Sequence, residues 1–385
     1  MAKYMILGAG KQGLALAYYL SKYYNPEKIY LVDYTRDRAE QARQIVEHLT
    51  GNHNIETRGQ VFGKESLFGH LTENANLLMR SDVVVSALPH EYNEAATRLA
   101  VLFGANYCDF GFDAGIVNRQ LADVGVTAKN IGVSVVPNCG VGPGLVNILA
   151  VGGAKETQAD SVRIYIGGNP QKPDNAWRYK RLFSGVVHEY TGTVEVLEDG
   201  KLVTKKVPCE QEDIFVNGSL GALEAFLAQT SFGLTAKILQ ELGVKNAFEK
   251  TVRFPGHYTV VKALQELGFL SQDSFRVNDT AVIPLDFTTE LINQNLPDAA
   301  DDFLFLKIFF EKSGKGMLQA EMMLYNDTNT GFSAMQRSTA SVVAIVANML
   351  AEKKLPAGAY LPEQEIDYKD VLNELWRMGF PITLT

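Results

Sequence analysis

Cysteine is scarce in this chain. Cys108, Cys139 and Cys209 are the only three in 385 residues, and no two of them form a C-x-x-C pair. That excludes a disulfide framework and a cysteine zinc site, and it points to a reducing compartment with no metal. Long hydrophobic runs are also missing. A bilayer span needs about 20 consecutive apolar residues, whereas the longest candidate, Ser341 to Ala351, is broken by Asn348. The N-terminus has one positive charge and then a very short apolar run, unlike a secretory signal. The expectation is therefore a cytoplasmic protein with no membrane partner. Positive charge is in deficit, with 36 Lys+Arg against 44 Asp+Glu and a net charge of -8. Such a surface repels phosphate backbones, so no nucleic-acid partner is expected. No internal repeat, low-complexity tract or long linker is seen. What remains is 46% apolar and 21% charged, which suits an ordered globular protein rather than a disordered one. At about 150 residues per domain the length suggests two or three domains.

The first fifty residues hold the clearest pattern. An apolar run, Tyr4 to Leu7, ends in Gly8-Ala9-Gly10-Lys11-Gln12-Gly13; Leu14 to Leu20 reads as a helix, and Ile29 to Val32 as a strand closed by Asp33. Strand, G-x-G-x-x-G turn, helix, strand and acid, in that order, form a dinucleotide-binding fingerprint. Gly8 permits the tight turn, Gly10 lets the backbone approach a pyrophosphate, and Gly13 lets the helix pack on the strand. The helix N-terminus offers N–H groups and a positive dipole end to the phosphates. Asp33 can accept hydrogen bonds from ribose hydroxyls and would repel a 2′-phosphate, which favours NAD. Arg36 nearby could pair with that phosphate, which leaves NADP open.

Asp82 to Pro89 reads as a buried parallel strand followed by a loop, and the loop from Ala87 to His90 falls where open α/β sheets bind the nicotinamide half of a cofactor. Glu91 to Leu102 reads as a helix, Asn106 to Gly111 as a strand end with a glycine loop, and Ile131 to Val136 as a strand. The candidate cofactor contacts are Gly8, Gly10, Lys11, Gln12, Gly13, Asp33, Tyr34, Ala87, Leu88, Pro89 and Gly111. The segment Pro137 to Val146 packs glycines and prolines that set backbone shape; it reads equally as an interdomain corner or as a ligand contact.

Together, the glycine fingerprint, Ala87-Leu88-Pro89, Tyr107-Cys108-Asp109 and Cys139-Gly140-Val141-Gly142-Pro143-Gly144 resemble the saccharopine dehydrogenase and lysine epsilon-dehydrogenase family. Ile166 to Pro170, Tyr179 to Ser184, Leu223 to Phe226 and Arg253 to His257 extend the resemblance through nearly the whole chain. It implies a nicotinamide-dependent oxidation or reduction of a C–N bond at the side-chain end of an amino acid. It also implies a homodimer, and a C-terminal segment that rejoins the nucleotide domain. The lysine epsilon-dehydrogenase branch matches more closely around Pro143 to Asn147. Asn138 stands where that branch has Asp, and Leu227 to Gly233 replaces a charged stretch with neutral residues, which leaves the substrate open.

From Ser161 the pattern becomes mixed. Ser161 to Ile166, Thr193 to Leu197, Lys201 to Val207, Phe303 to Phe310 and Met317 to Tyr325 alternate as strands, and Asp199-Gly200 marks a hairpin. Leu220 to Gln229, Thr235 to Leu242, Thr259 to Leu267 and Ser338 to Leu350 read as helices. The expected fold is α/β, with a Rossmann-type dinucleotide-binding domain (1–137, rejoined by 335–385) and a mixed α+β catalytic and dimerisation domain (138–334), the sheet being antiparallel.

Amine oxidation needs a neutral amine, a carbon facing the nicotinamide and acid/base help to hydrolyse the imine, for which histidine suits neutral pH. Of six histidines, His48, His53 and His70 lie in polar stretches, and His90 follows the Ala-Leu-Pro loop. His257 is the preferred acid/base candidate and His188 the next. Cys139 is a third, weaker candidate, more readily explained as packing. Arg253 is the candidate for the substrate α-carboxylate, with Arg181 behind it. Asp113, Glu189 and Asp109 could meet the ammonium or orient a histidine, and Thr230 could give a neutral hydrogen bond. The leading expectation is lysine 6-dehydrogenation. A reductive condensation of an amine with a semialdehyde and a catalytically silent dinucleotide-binding protein stand as alternatives.

Overall fold

The computed structural model describes residues 1–59, 80–111, 113–175, 177, 179, 186–216, 220–297, 299, 301–313 and 316–385. His70 and Arg181 lie outside the described residues. The chain divides into two units, Met1–Gly152 with Gln336–Phe380, and Gly153–Met335 with Pro381–Thr385.

The first unit is built on a parallel sheet. Its strands are β1 (Lys3–Leu7), β2 (Lys28–Asp33), β3 (Ile55–Gly59), β4 (Val83–Ser86), β5 (Asn106–Asp109), β6 (Ser134–Val136) and β17 (Gly358–Ala359), in the order β17-β6-β5-β4-β1-β2-β3. The order 3-2-1-4-5-6 is that of a dinucleotide-binding doubly wound sheet. Strands covered on both faces must be apolar throughout, and Met5, Ile6, Val83, Val84 and Val85 are all completely buried. The connecting helices are Lys11–Tyr23, Arg36–Thr50, Asn93–Leu102 and Ala114–Ile131. The last of these is an element not assigned from the sequence. Asp113 opens it by accepting the Ile116 N–H at 2.8 Å, and Gly132 closes it at φ +78. The strand expected from Ile131 therefore starts at Ser134. The C-terminal residues are tied to this unit: the Tyr4 hydroxyl donates to Asn348 Oδ1 (3.3 Å), and Gln336 Nε2 donates to the Lys11 carbonyl (2.9 Å).

Among the described residues the second unit carries a nine-stranded mixed sheet and a separate pair of strands, β13 (Phe275–Val277) and β14 (Thr280–Val282). Its strands include β7 (Ser161–Pro170), β8 (Thr193–Glu198), β9 (Lys201–Lys206), β10 (Cys209–Val216), β11 (Gly221–Leu227), β12 (Asn246–Arg253), β15 (Asp302–Lys312), β16 (Gly316–Tyr325) and β18 (Ile382–Leu384). β7 and β12 run parallel, so the sheet is mixed rather than antiparallel. The β8–β9 hairpin turns at Asp199 (φ +48) and Gly200 (φ +77), the paired positive angles of a tight hairpin. The expected helix over 220–229 is instead the strand β11, hydrogen-bonded to β10 on one side and β12 on the other. Alanine, leucine and glutamate are good helix formers, but propensity is a small effect that tertiary context overrides. Pairing on both edges and burial of Leu223, Ala225, Phe226 and Leu227 outweigh that preference.

The α/β class with a second, mixed unit is the one expected from the sequence. Among the described residues no helix is long and apolar enough to cross a membrane, and no cluster of His, Cys, Asp and Glu is arranged to hold a metal.

Candidate functional site

In the first unit the glycine turn is shaped by contact. A Cβ on Gly13 would lie 1.8 Å from the Gly8 carbonyl oxygen, and one on Gly8 would lie 2.7 Å from the Ala87 carbonyl oxygen. Strand, turn and helix can close together only without those side chains. Gly10 is different, because a Cβ there meets nothing within 4 Å and would project into open space. Gly10 caps the helix Lys11–Tyr23 with no side-chain hydrogen bond, and no acid stands in its first turn. An open, uncapped helix N-terminus whose nearest Cβ is missing fits a pyrophosphate. Lys11 is exposed and Gln12 half-buried beside it. NAD(P) therefore fits the residues present, and Gly8 to Gly13 would hold its phosphates.

Asp33 is 4% exposed. Its Oδ2 accepts the Ala9 N–H at 2.8 Å and its Oδ1 the Thr35 N–H at 3.2 Å. The carboxylate thus fastens β2 to the glycine turn, a structural task in addition to the ribose contact expected for it. Each oxygen can still accept a further bond from ribose. Tyr34 is exposed, as are Arg36 and Arg38, and Arg38 Nη1 lies 3.8 Å from Asp33 Oδ1. Ala87, Leu88 and Pro89 follow β4, with the Ala87 N–H donating to the Leu7 carbonyl at 2.7 Å. Gly111 has a packing reason to be glycine, since a Cβ would lie 2.1 Å from Asn138 Oδ1.

Beside this loop lies a buried polar network. Asp109 is fully buried and accepts from Tyr107 Oη (3.0 Å), Gln120 Nε2 (2.8 Å) and the N–H groups of Gly111 (2.8 Å) and Asn138 (3.0 Å). Asp109 ties two strand ends together. Cys139 is also fully buried, with its Sγ donating to the Val136 carbonyl at 3.1 Å. Burial pushes its thiol well above the ordinary range. A neutral, enclosed thiol suits packing. Asp113 caps the helix that follows it through Oδ1.

The second unit gathers a set of interacting polar side chains. His257 is fully buried, with Nδ1 2.6 Å from the Trp177 carbonyl and Nε2 2.9 Å from Tyr190 Oη. A carbonyl only accepts, so Nδ1 carries the proton; Nε2 then accepts from the Tyr190 hydroxyl. Arg253 donates from Nε to Tyr190 Oη (3.1 Å), from Nη1 to the Val252 carbonyl (2.9 Å) and from Nη2 to Glu189 Oε2 (3.0 Å). Its guanidinium lies over the Tyr179 ring at 5.2 Å. Burial and the Arg253 charge lower the His257 pKa to about 3. Both nitrogens are thus engaged on a neutral, enclosed ring. Burial pushes the Tyr190 hydroxyl up to about 12, so it stays protonated.

Tyr190 links the two groups singled out in the sequence, yet nothing in its local pattern marks it. Tyr190→Phe keeps the ring packing but leaves the Arg253 Nε–H and His257 Nε2 without their partner. A loss of about 1–3 kcal/mol is expected on chemical denaturation, with cofactor affinity unchanged.

Glu224 is a second residue whose role only the tertiary structure shows. Its carboxylate accepts the N–H groups of Gly256 (3.1 Å) and Tyr258 (2.5 Å), anchoring the start of the helix His257–Glu266. The signal was a lone acid inside the apolar run Leu223 to Leu227. His188 sits one residue before Glu189, half-buried. Thr230 Oγ1 accepts the Phe232 N–H at 3.2 Å, a loop-shaping bond, beside Gln229 whose N–H donates to the Glu189 carbonyl at 2.7 Å. His48 and His53 are exposed.

Residues 140–380 match the family described as the saccharopine dehydrogenase C-terminal domain. The chain belongs to the saccharopine dehydrogenase family. Within it, the chain is 21% identical over 418 aligned residues to the mitochondrial alpha-aminoadipic semialdehyde synthase of Bos taurus, covering 88% of this chain and 44% of that protein. It is 23% identical over 208 residues to the NADP(+), L-glutamate-forming saccharopine dehydrogenase of Pyricularia oryzae, covering 50% of this chain and 44% of that protein. The chain thus spans less than half the length of the curated relatives it matches. Its fold is similar to that of apo saccharopine dehydrogenase (L-Glu forming) from Saccharomyces cerevisiae, with TM-score 0.78 at 16% identity over 100% of this chain and 99% of that one. It is also similar to homospermidine synthase from Legionella pneumophila in complex with NAD, with TM-score 0.68 at 12% identity over 100% and 91%. The saccharopine dehydrogenase family name and the shared fold agree with the resemblance read from the motifs.

Proposed function

We propose that this chain is an NAD(P)-dependent oxidoreductase acting on a C–N bond of an amino acid, with a saccharopine-type reaction ahead of lysine 6-dehydrogenation. The observation that carries it is the family match over 140–380, which places the chain beside relatives named for saccharopine. In the oxidative direction a hydride leaves the carbon next to nitrogen, water adds to the imine, and the C–N bond breaks to give an aldehyde and an amine. The reverse is a reductive condensation. Bound NAD(P) supplies the hydride acceptor or donor.

This chain's residues have separate tasks in that reading. Gly8, Gly10 and Gly13 hold the pyrophosphate, and Asp33 meets the ribose. Arg253 remains charged despite burial, because the oxygens of Tyr190, Tyr179 and Glu189 support it, and it pairs with the substrate α-carboxylate. His188 takes the acid/base role, because the ring of His257 is already bonded on both sides.

The decisive experiment offers L-saccharopine, L-lysine and diamines with NAD and NADP in both directions, and follows the absorbance of the reduced cofactor. Turnover of L-saccharopine ahead of L-lysine is expected. Tight cofactor binding with no turnover of any of them overturns the proposal. Cofactor choice is tested at Asp33. Asp33→Ser removes the charge that repels a 2′-phosphate, and kcat/KM is expected to shift toward NADP by about tenfold, or roughly 1.4 kcal/mol.

A further inference from the structure

We propose that Glu189 is a built-in occupant of the α-carboxylate subsite, seated on Arg253 until a ligand carboxylate displaces it. This rests on the reading of Arg253 as the carboxylate's partner, and it adds a gate to that reading.

The two ends of the ion pair are held very differently. Arg253 is 3% exposed and is fixed by Tyr190 Oη, the Val252 carbonyl and the Tyr179 ring. These contacts orient the guanidinium without using up its charge. Glu189 has 18% of its side chain exposed, and its carboxylate meets Arg253 Nη2 through one oxygen at 3.0 Å. Its Oε1 has no hydrogen bond among the described residues. A guanidinium fork favours a two-point carboxylate contact, and Glu189 supplies one point. The cation is preorganised, whereas the anion opposite it is the chemical group that an amino-acid ligand would bring.

A second observation points the same way. Tyr179 Oη and Trp177 Nε1 are buried and unpartnered among the described residues. Tyr179 lies under the Arg253 guanidinium, and the Trp177 ring is 4.7 Å from that of His257. Both are donors, and buried donors without an acceptor are uncommon. A ligand carboxylate offers about four acceptor positions, more than the single contact Glu189 makes. Burial outweighs the pull of Arg253 and pushes the Glu189 carboxyl above the ordinary carboxylate range.

The test is binding, not turnover. Wild type, Glu189→Gln and Glu189→Asp are titrated calorimetrically with L-saccharopine, L-glutamate and L-lysine, and the melting temperature of each free protein is recorded. If Glu189 is a placeholder, its removal lowers the melting temperature of the free protein, because Arg253 loses its counterion, and lowers the ligand Kd about tenfold by removing the competing closed state. Glu189→Asp, whose shorter side chain reaches Arg253 less well, moves the Kd the same way by less and covers the case in which Glu189→Gln fails to fold. Unchanged or weaker binding by both variants overturns the inference, and a weakening of about tenfold would assign Glu189 to the ligand ammonium instead. Failure of all three ligands to bind any of the proteins also overturns it. L-saccharopine turnover by wild type with unimproved binding by the variants removes this inference and leaves the proposed function. Tighter binding of L-glutamate by Glu189→Gln without turnover of any substrate does the reverse.

Discussion

Arg253→Met is expected to lower kcat/KM for the amino-acid substrate by about 100-fold or more while leaving NAD(P) affinity unchanged. The substitution keeps the volume of the stem but removes the charged fork, and truncating one partner of a buried charge pair commonly costs about 2–5 kcal/mol. It also leaves Glu189 facing an apolar replacement, so the second unit should lose about 3–5 kcal/mol of stability. The sign of the pH dependence follows from the same geometry. Burial already holds the Glu189 carboxyl above the ordinary range against the pull of Arg253, and losing that cation raises its folded pKa further above the unfolded value. Stability is then retained at low pH and lost as pH rises through that raised pKa. Arg253→Met combined with Glu189→Gln removes the stranded carboxylate. The double variant should recover most of the stability and none of the activity, which separates folding from binding. If the single variant keeps wild-type kcat/KM, Arg253 does not meet the substrate.

Gly13→Val is expected to abolish cofactor binding and to destabilise the first unit together. The reason is steric and local: any Cβ at that position lies 1.8 Å from the Gly8 carbonyl oxygen, and neither is a flexible side-chain end that could swing aside. The helix must lift off the strand, and the phosphate cradle goes with it. Gly10→Val serves as the contrast. Its Cβ meets nothing within 4 Å in the protein, so thermal unfolding without cofactor should change little, while NAD(P) affinity should fall about 100-fold because the new side chain occupies the space a pyrophosphate needs. Thermal unfolding and cofactor titration on both variants read the two effects apart. Normal cofactor affinity in Gly10→Val would place the pyrophosphate elsewhere.

Legibility differed between the two halves of the chain for a physical reason. In the first unit, strand, turn and helix follow one another in sequence, so their chemistry appears as one contiguous motif from Tyr4 to Asp33. In the second unit the interactions are assembled from distant segments. Arg253 closes β12, Glu189 and Tyr190 end a short helical turn, and Trp177 lies before it. A search for reactive residue types finds Arg253 and His257 there, but it cannot show that His257 is bonded on both sides or that Tyr190 joins them. The same limit produced the helix expected over Leu220 to Gln229. Its residues favour a helix locally, and only hydrogen bonds to β10 and β12 make it a strand.

Composition and local pattern were enough to establish an α/β chain with a dinucleotide fingerprint at Gly8 to Gly13 and a motif set running through to His257. These depend on residue volume, charge and short-range periodicity, which a linear sequence states directly. Tertiary structure decided the rest. It made Asp33 the clasp of the glycine turn and Asp113 a helix cap, enclosed Cys139 as a packed thiol, gave His257 a neutral ring and set Glu189 against Arg253. Each of those roles depends on burial and on a hydrogen-bond partner, and for most of them the partner lies far away in sequence. Distance along the chain does not encode such proximity.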